Sequence, residues 1–519
     1  MYLLQVVLFL LLCAVALGWV ARRLDAPYPI ALVVGGGALG FVPGLPQLQF
    51  DPQFLLVLVL PPILYQAALL TSWRDFKANA RPIGLLAIGL VIVTTLAVGA
   101  VLKWLIPDIP WAAAFVLGAI VSPPDAVAAT AILSRLTIPR RIVVVLEGES
   151  LVNDASGLVL YKFAVAAVLT GVFSLFEASW QFAWVAVIGA LIGWLMGHLF
   201  VQLHRFLGDP FIEVVLSLSV PYTAYICAES LHVSGVLAVV TAGLVRGRHS
   251  PEIVSAQMRI LARSMWNILV FLLNSIIFIL IGLQLSAISG RLQGYSVWQL
   301  LGYGVLISVV SILVRFLWVY PTAYLPGWLS PAEHKRNAPP EKGQVFIISW
   351  CGMRGIVSLA AALALPVALD NGQPFPFRDV IIFITFVVIA VTLVLQGLTL
   401  PPVIRWLKLA TDMSGHDEQQ LARTAMSKAA VAAIDRCMEE RPAPAELAER
   451  LRAEFAEDVK LVVPGDVVLP PASDHANRLR AAAIRAQRKA LIREWRMNRI
   501  SDDVLHHLEE ELDYREARL

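Results

Sequence analysis

Ile120-VSPPDAVAATAI-Leu133 and Leu146-EGESLVNDASGLVLY-Lys162 decide how this chain is read. Each belongs to an apolar segment long enough to cross a bilayer, and each holds a carboxylate near its middle, Asp125 in one and Asp154 in the other. A charge at that depth must be neutralised, hydrated or paired, so by default it marks an ion or proton pathway. In the first stretch Pro123-Pro124 stands directly before Asp125. Proline has no N–H to donate and disfavours helix at the residue before it, so the helix breaks and leaves carbonyls free beside the acid.

The rest of the chain agrees with a membrane setting. Of 519 residues 58% are hydrophobic and only 15% charged, and mean hydropathy is +0.72, more than a soluble core of this size needs. The chain reads as an all-α polytopic membrane protein. Net charge is +3, and no basic stripe outside the tail points to nucleic acid. Cys13, Cys227 and Cys351 lie in apolar segments and Cys437 in the tail, with no pairing pattern or metal-ligand spacing, so they read as packing residues. Tyr2 to Val20 lacks a basic region before it and a cleavage pattern after it, so it reads as the first membrane helix.

A hydropathy window of roughly 19 residues gives about thirteen spans, near 2–20, 29–42, 54–70, 83–105, 112–134, 142–169, 179–201, 211–231, 234–245, 268–285, 300–320, 345–365 and 380–400. The second and ninth are short for a hydrocarbon core of about 30 Å. Loop charges test the layout independently. Loops after odd-numbered spans carry sixteen basic residues, including Arg22, Arg23, Arg135, Arg140, Arg141, Arg259, Arg263, Lys335 and Arg336; loops after even-numbered spans carry Lys103, Arg291 and Arg378. This asymmetry puts the N-terminus outside and the odd loops and tail in the cytoplasm.

The fifth span is interrupted by Ser122-Pro-Pro-Asp125 and the twelfth by Cys351-Gly-Met-Arg-Gly355. Breakers at membrane depth are tolerated where freed backbone lines a cavity or meets another polar group. If spans 1–6 and 8–13, residues 2–169 and 211–400, are inverted repeats, the breaks hold the same repeat position, as in secondary transporters with a midplane site. The transmembrane domain is then residues 1–409, and residues 410–519 form a cytoplasmic tail. There, Arg478 to Arg499 is strongly basic and Asp502 to Arg518 strongly acidic. Ser501 is placed to cap a helix with Asp502 and Asp503 in its first turn, which predicts two helices of opposite charge packed as a hairpin.

The chemistry concentrates on the sixth span. Glu149 and Asn153 share one helical face, and Ser150 and Asp154 the face about 100° further round. Asp154 and the Ser150 hydroxyl offer hard oxygen ligands to a small cation, and Asn153 can satisfy Glu149 without adding charge. Arg354, mid-span behind a glycine, is expected to be the buried partner of Glu149, the bland alternative being a cation that snorkels to the interface. Arg315, at the cytoplasmic end of its expected span, suits snorkelling as well as function, and Lys162, Glu213, Glu229 and His232 carry no assignment.

With these motifs in place the chain closely resembles the monovalent cation:proton antiporter-1 family, the sodium/proton exchangers, in its bacterial branch. The resemblance rests on Ser122-Pro-Pro-Asp-Ala-Val-Ala128, Glu147-Gly-Glu-Ser-Leu-Val-Asn-Asp154, Ser234-Gly-Val-Leu-Ala-Val-Val-Thr-Ala-Gly243 and Gly352-Met-Arg-Gly-Ile-Val-Ser358, and covers nearly the whole chain. It implies a homodimer in the bacterial inner membrane, each protomer with thirteen spans and a transport domain moving against a dimerisation domain. It implies Asp154 as the main ion ligand with Asp125 and Ser150 contributing, and Glu149, Asn153 and Arg354 as a supporting cluster. Many relatives have Ser-Pro-Thr-Asp-Pro where this chain has Pro124 and Ala126 around Asp125, so the ligand there would be the Pro124 backbone carbonyl.

The expected activity is electroneutral exchange of sodium, with lithium or potassium as further substrates, for a proton. It needs no cofactor and is not enzymatic. The cargo is monovalent cations and protons, the setting a lipid bilayer, and no nucleic acid is involved. A gated cation channel would conduct without obligatory proton counterflow. An intramembrane aspartyl protease would pair the two acids, but neither Asp125 nor Asp154 sits in a Tyr-Asp or Gly-x-Gly-Asp context and Ser150 has no evident histidine base.

Overall fold

The structure is a computed structural model. It describes residues 2–23, 27–40, 42, 52–133, 136, 138–171, 175–289, 295–329, 340–369, 372–409, 414–457 and 474–518. Arg135, Arg291, Lys335 and Arg336 of the loop-charge argument, residue 41 of the second expected span, and the domain boundary near 410 lie outside the described residues.

In chain order the helices are α1 (Tyr2–Arg23), α2 (Tyr28–Gly40), α3 (Pro52–Leu70), α4 (Trp73–Ala78), α5 (Ala80–Leu105), α6 (Trp111–Val121), α7 (Ala126–Leu133), α8 (Arg140–Thr170), α9 (Leu175–His204) and α10 (Pro210–Ser230). They continue with α11 (Gly235–Ile253), α12 (Ala256–Ser289), α13 (Val297–Leu329), α14 (Lys342–Trp350), α15 (Ile356–Leu363) and α16 (Arg378–Leu407). Last come α17 (Ser414–Glu440), α18 (Ala445–Glu457), α19 (Asp474–Arg496) and α20 (Asp502–Glu516). Among the described residues there is no strand, only one isolated bridge, Ala368 to Pro374.

Every expected span meets a helix or, at the fifth and twelfth, a pair of helices. Among the described residues eight segments are long and apolar enough to cross a membrane by length and composition. The second, α2, has 13 residues, about 20 Å at the helical rise and short of a full crossing. The ninth runs past its apolar part to Ile253, for 19 residues. The two breaks are real: Ser122–Asp125 separates α6 from α7 and Cys351–Gly355 separates α14 from α15, in both cases without helical backbone.

Two compact units divide the chain. The first comprises Met1–Gln202, Leu216–Arg248 and Trp266–Thr411. Its core is built from the apolar faces of the broken helices and α16, including Val116, Leu117, Ile120, Ile132, Leu359, Ile384 and Val388. Here α15 packs against α3 and α6, and α16 against α7. Within α5, Leu85–Leu90 widens to a π-helical turn, which spoils the regular hydrogen-bond ladder and often marks functional regions. Trp318 of α13 fills the defect, donating from Nε1 to the Leu85 carbonyl at 3.0 Å. A Cβ at Gly89 would lie 2.5 Å from the same indole, so only glycine admits it.

The second unit comprises Leu203–Val215, His249–Met265 and Asp412–Leu519. Its four tail helices enclose an apolar core of Ala422, Met426, Ile434, Leu451, Phe455, Leu479, Leu491, Leu505 and Leu512. The expected basic–acidic pair is present: Arg488 of α19 bonds Asp513 at 2.8 Å and Glu516 at 2.7 Å on α20. The pair is half of a bundle, because α19 also lies along α17. Arg259 holds the Asp513 carboxylate with two bonds of 2.8 Å, and Arg263 pairs with Glu510. Ser501 stands at the N-cap with extended backbone, but its hydroxyl makes no cap bond. Its N–H instead donates to Glu418 at 2.8 Å, so Asp502 and Asp503 supply the favourable charge at that helix end.

Candidate ion site

The two breaks meet at Asp125. Its N–H donates to the Met353 carbonyl in the opposite break at 2.7 Å. Its carboxylate accepts from Val127 N at 2.8 Å, inside the first turn of α7, and from Ile356 N at 3.4 Å, the first residue of α15. One acid therefore caps two helix N-termini, where unsatisfied N–H groups and the positive end of the dipole favour an anion. The approach is so close that a Cβ on Gly355 would sit 1.7 Å from Asp125 Oδ2.

The cations do the reverse. Arg354 donates from Nε to the Val121 carbonyl, the last residue of α6, at 2.9 Å, and from Nη1 to the Gly352 carbonyl. Its own N–H goes to Thr392 Oγ1 at 3.2 Å. Arg315 donates from Nε to the Ile348 carbonyl, in the last turn of α14, at 3.0 Å. Each broken helix thus ends its C-terminus on a guanidinium, which suits the negative end of the dipole.

Glu149 is paired with Arg315 and not, as expected, with Arg354. Arg315 Nη1 and Nη2 reach Glu149 Oε1 and Oε2 at 2.5 and 2.7 Å, with side-chain exposures of 2% and 1%. A fork-to-fork geometry of this kind uses every acceptor direction of the carboxylate that faces the cation. Arg315 was misplaced because α13 runs on through Pro321 to Leu329, which moves it from the end of a 300–320 span to mid-helix. The length of the apolar run beyond Tyr320 is the signal that could have found it. Asn153 does not satisfy Glu149 either. It donates to the Pro124 carbonyl at 3.1 Å, and its Oδ1 is buried without a hydrogen-bond partner.

The Pro124 carbonyl therefore carries one bond and keeps a second lone pair. Ser150 Oγ accepts the Ala126 N–H at 3.3 Å and is half-buried, as is Asp125. Asp154 is buried at 6% exposure, one turn from Ser150 on α8, and near enough to Asp125 for their charges to interact. Among the described residues no hydrogen bond or ion pair holds its carboxylate. The structure thus brings Asp125, Ser150, Asn153, Pro124 and Asp154 together around the break, with Glu149 held on Arg315. Lys162, unassigned from sequence, pairs with Glu229 at 3.2 Å, and Glu213 lies 3.8 Å from His204.

The family described as sodium/hydrogen exchanger, transmembrane, matches residues 7–406. The chain belongs to this family. The exchanger is 36% identical to an uncharacterized Na+/H+ exchanger of Mycobacterium tuberculosis over 99% of its own length and 96% of the relative's. It is 32% identical to the sodium, potassium, lithium and rubidium/H+ antiporter of Bacillus subtilis over 97% of its own length and 76% of that protein's. In three dimensions it is similar to the sodium proton antiporter MjNhaP1 of Methanocaldococcus jannaschii, with a TM-score of 0.61 at 17% identity, covering 78% of this chain and 99% of that one. The exchanger is accordingly a multi-pass secondary transporter of the cation/proton antiporter class and not an enzyme, and its all-helical fold is that of the solved antiporter.

Proposed function

We propose that this exchanger moves one monovalent cation against one proton, without net charge transfer, by alternating access, in the service of pH and sodium homeostasis. Sodium is the main substrate, with lithium and potassium accepted. In this reading Asp154 is the exchanging carboxylate, and Asp125, Ser150 and the Pro124 carbonyl complete an oxygen cage of the kind hard cations take. Glu149, Asn153 and Arg354, joined by Arg315, hold the cage in place. The transmembrane domain spans residues 1–409 with inverted repeats near 2–169 and 211–400, the N-terminus lies outside, the tail from 410 is cytoplasmic, and the protein is a homodimer of the bacterial inner membrane.

The observation that carries the proposal is Asp154 itself. Every other charged group of the site is held by a protein partner, while this buried carboxylate is held by none among the described residues and stands where a proton or a cation can satisfy it. The two ions compete for one group, and rocking between inward- and outward-open forms exchanges them. Arg354 and Arg315 cannot take part in the proton cycle, since a guanidinium stays charged at physiological pH. One proton per cycle follows from Asn153, an amide that does not titrate, standing beside Asp154. The test is proton movement in inside-out vesicles after separate additions of sodium, lithium and potassium, repeated in proteoliposomes with a voltage-sensitive dye. Cation-dependent proton flux without a potential is expected. No flux with any cation would overturn antiport, and a potential built up by sodium-driven proton movement would overturn the stoichiometry.

A further inference from the structure

The tail contains a basic cavity that cation exchange does not use. Arg485, Lys489 and Arg493 follow one another at four-residue steps along α19, so they share a face, and Arg496 continues it. With Arg488 they line a cavity of about 730 Å³, within the range of small-ligand sites. Its opposite wall is Pro251, Glu252 and Val254, the end of α11 and the turn after it. Ile492 and Met497 add apolar surface.

The charges inside do not balance. Arg488 is taken by Asp513 and Glu516, and Arg496 by Glu252 at 2.5 Å. Five cations less these two leave Arg485, Lys489 and Arg493, which make no ion pair among the described residues and are exposed. Like charges four residues apart on a helix repel. A merely solvated face gains nothing by repeating them against a wall of backbone. A phosphate-bearing anion does, because guanidinium forks and an ammonium converging on one space match its oxygens.

We propose that this cavity binds a phosphate-bearing anion, and its position favours the headgroup of an anionic phospholipid. Pro251 follows the end of the expected ninth span, near residue 245, by six residues, about 9 Å along a helix. That is the outer edge of the headgroup layer, which adds about 5–8 Å on each side of a core of about 30 Å. On the proposed topology the turn is cytoplasmic, where anionic lipid attracts juxtamembrane basic clusters.

The test uses the full-length protein in detergent, titrated separately with phosphatidylglycerol, phosphatidylcholine and sodium pyrophosphate. Binding is read by native mass spectrometry and by ligand-dependent rise in melting temperature. The variant Arg485→Gln/Lys489→Gln/Arg493→Gln removes the unpaired charges from an exposed helix face and keeps good helix formers there. Arg436→Gln/Arg441→Gln/Arg450→Gln makes the same charge change elsewhere on the tail. The expected result is retention of phosphatidylglycerol over phosphatidylcholine, weakened on the order of a hundredfold in the first variant and unchanged in the second. Pyrophosphate binding lost in the first variant, with no lipid preference, would keep the anion site and overturn its lipid occupant. Equal losses in both variants, or no binding of either probe to the wild-type protein, would overturn the site.

Discussion

Exchanging Glu149 and Arg315 in a double-mutant cycle separates the pairing in the structure from the one expected from sequence. Both side chains are almost wholly buried, so Glu149→Gln strands a guanidinium and Arg315→Met strands a carboxylate. Each single change is expected to cost about 3–5 kcal/mol, the usual penalty for an uncompensated buried charge. Arg315→Met also leaves the Ile348 carbonyl without its donor, adding about 1 kcal/mol. In the double variant neither charge remains, so its cost should fall near that of one single change, giving a coupling of about 3 kcal/mol. Arg354 bonds two backbone carbonyls, and it meets Glu149 only through their charges. A Glu149/Arg354 cycle should therefore couple much more weakly. Reversible unfolding in bicelles gives the four free energies of each cycle, and transport in proteoliposomes reports whether function follows. Additivity of Glu149→Gln with Arg315→Met, or stronger coupling of Glu149 to Arg354, would refute the assignment.

Asp154→Asn should abolish cation-dependent proton flux in a folded protein, whereas Asp125→Asn should weaken cation affinity and keep only one of the two helix caps, since its single amide oxygen replaces the two carboxylate oxygens that accept from Val127 and Ile356; wild-type flux from reconstituted Asp154→Asn would end the Asp154 assignment. Gly355→Ala places a methyl onto the Asp125 carboxylate and should reduce both melting temperature and flux, and an unaffected variant would show that the two breaks do not meet so closely. Burial lowers the pKa of His506 from 6.5, with Asp502 and Asp503 opposing and Arg263 and Arg259 adding to the effect. A lowered folded pKa gives stability that is present above 6.5 and is lost as pH falls through the folded value. Protection from hydrogen exchange in α20, taken relative to the intrinsic rate, should thus fall between about pH 7 and 5, less so in His506→Gln. Burial raises the pKa of Glu509, which acts in the opposite direction, so the difference between variant and wild type is the readout, and identical slopes would exclude His506.

The breaks were legible because Pro123-Pro124 and the Gly352–Gly355 pair speak through backbone chemistry that no tertiary contact overrides. The carboxylates on α8 were legible because a helix fixes which residues share a face. Partner choice was not. Arg354 and Arg315 are both buried cations of the same type, and which reaches Glu149 depends on how α8, α13 and α15 cross, a distance that no spacing within one helix encodes. Asn153 was misassigned for the same reason, its nearest acceptor lying on another segment 29 residues earlier. In the tail, α17 and α18 escaped notice because their buried positions are mostly alanine, such as Ala422, Ala430 and Ala448, which leave little mark on a hydropathy profile. Ser501 occupies a cap position by sequence rule, but its hydroxyl makes no cap bond, and the partner of its own N–H, Glu418, arrives from α17, a contact no local rule encodes.

The fixed charges around the breaks have a consequence for leakage. Glu149 and Asp125 carry two negative charges and Arg315 and Arg354 two positive ones, so when all four are ionised they cancel. On the proposed reading Asp154 alone then sets the sign of the assembly: neutral with a proton or a cation aboard, and one unit negative when vacated. An ionised side chain at the bilayer centre costs about 2.5–3.5 kcal/mol on insertion scales, which slows a crossing roughly a hundredfold. That penalty falls on the empty carrier and spares both loaded ones. Slippage is then suppressed by the hydrocarbon itself, and no separate latch is required to keep the two fluxes locked together.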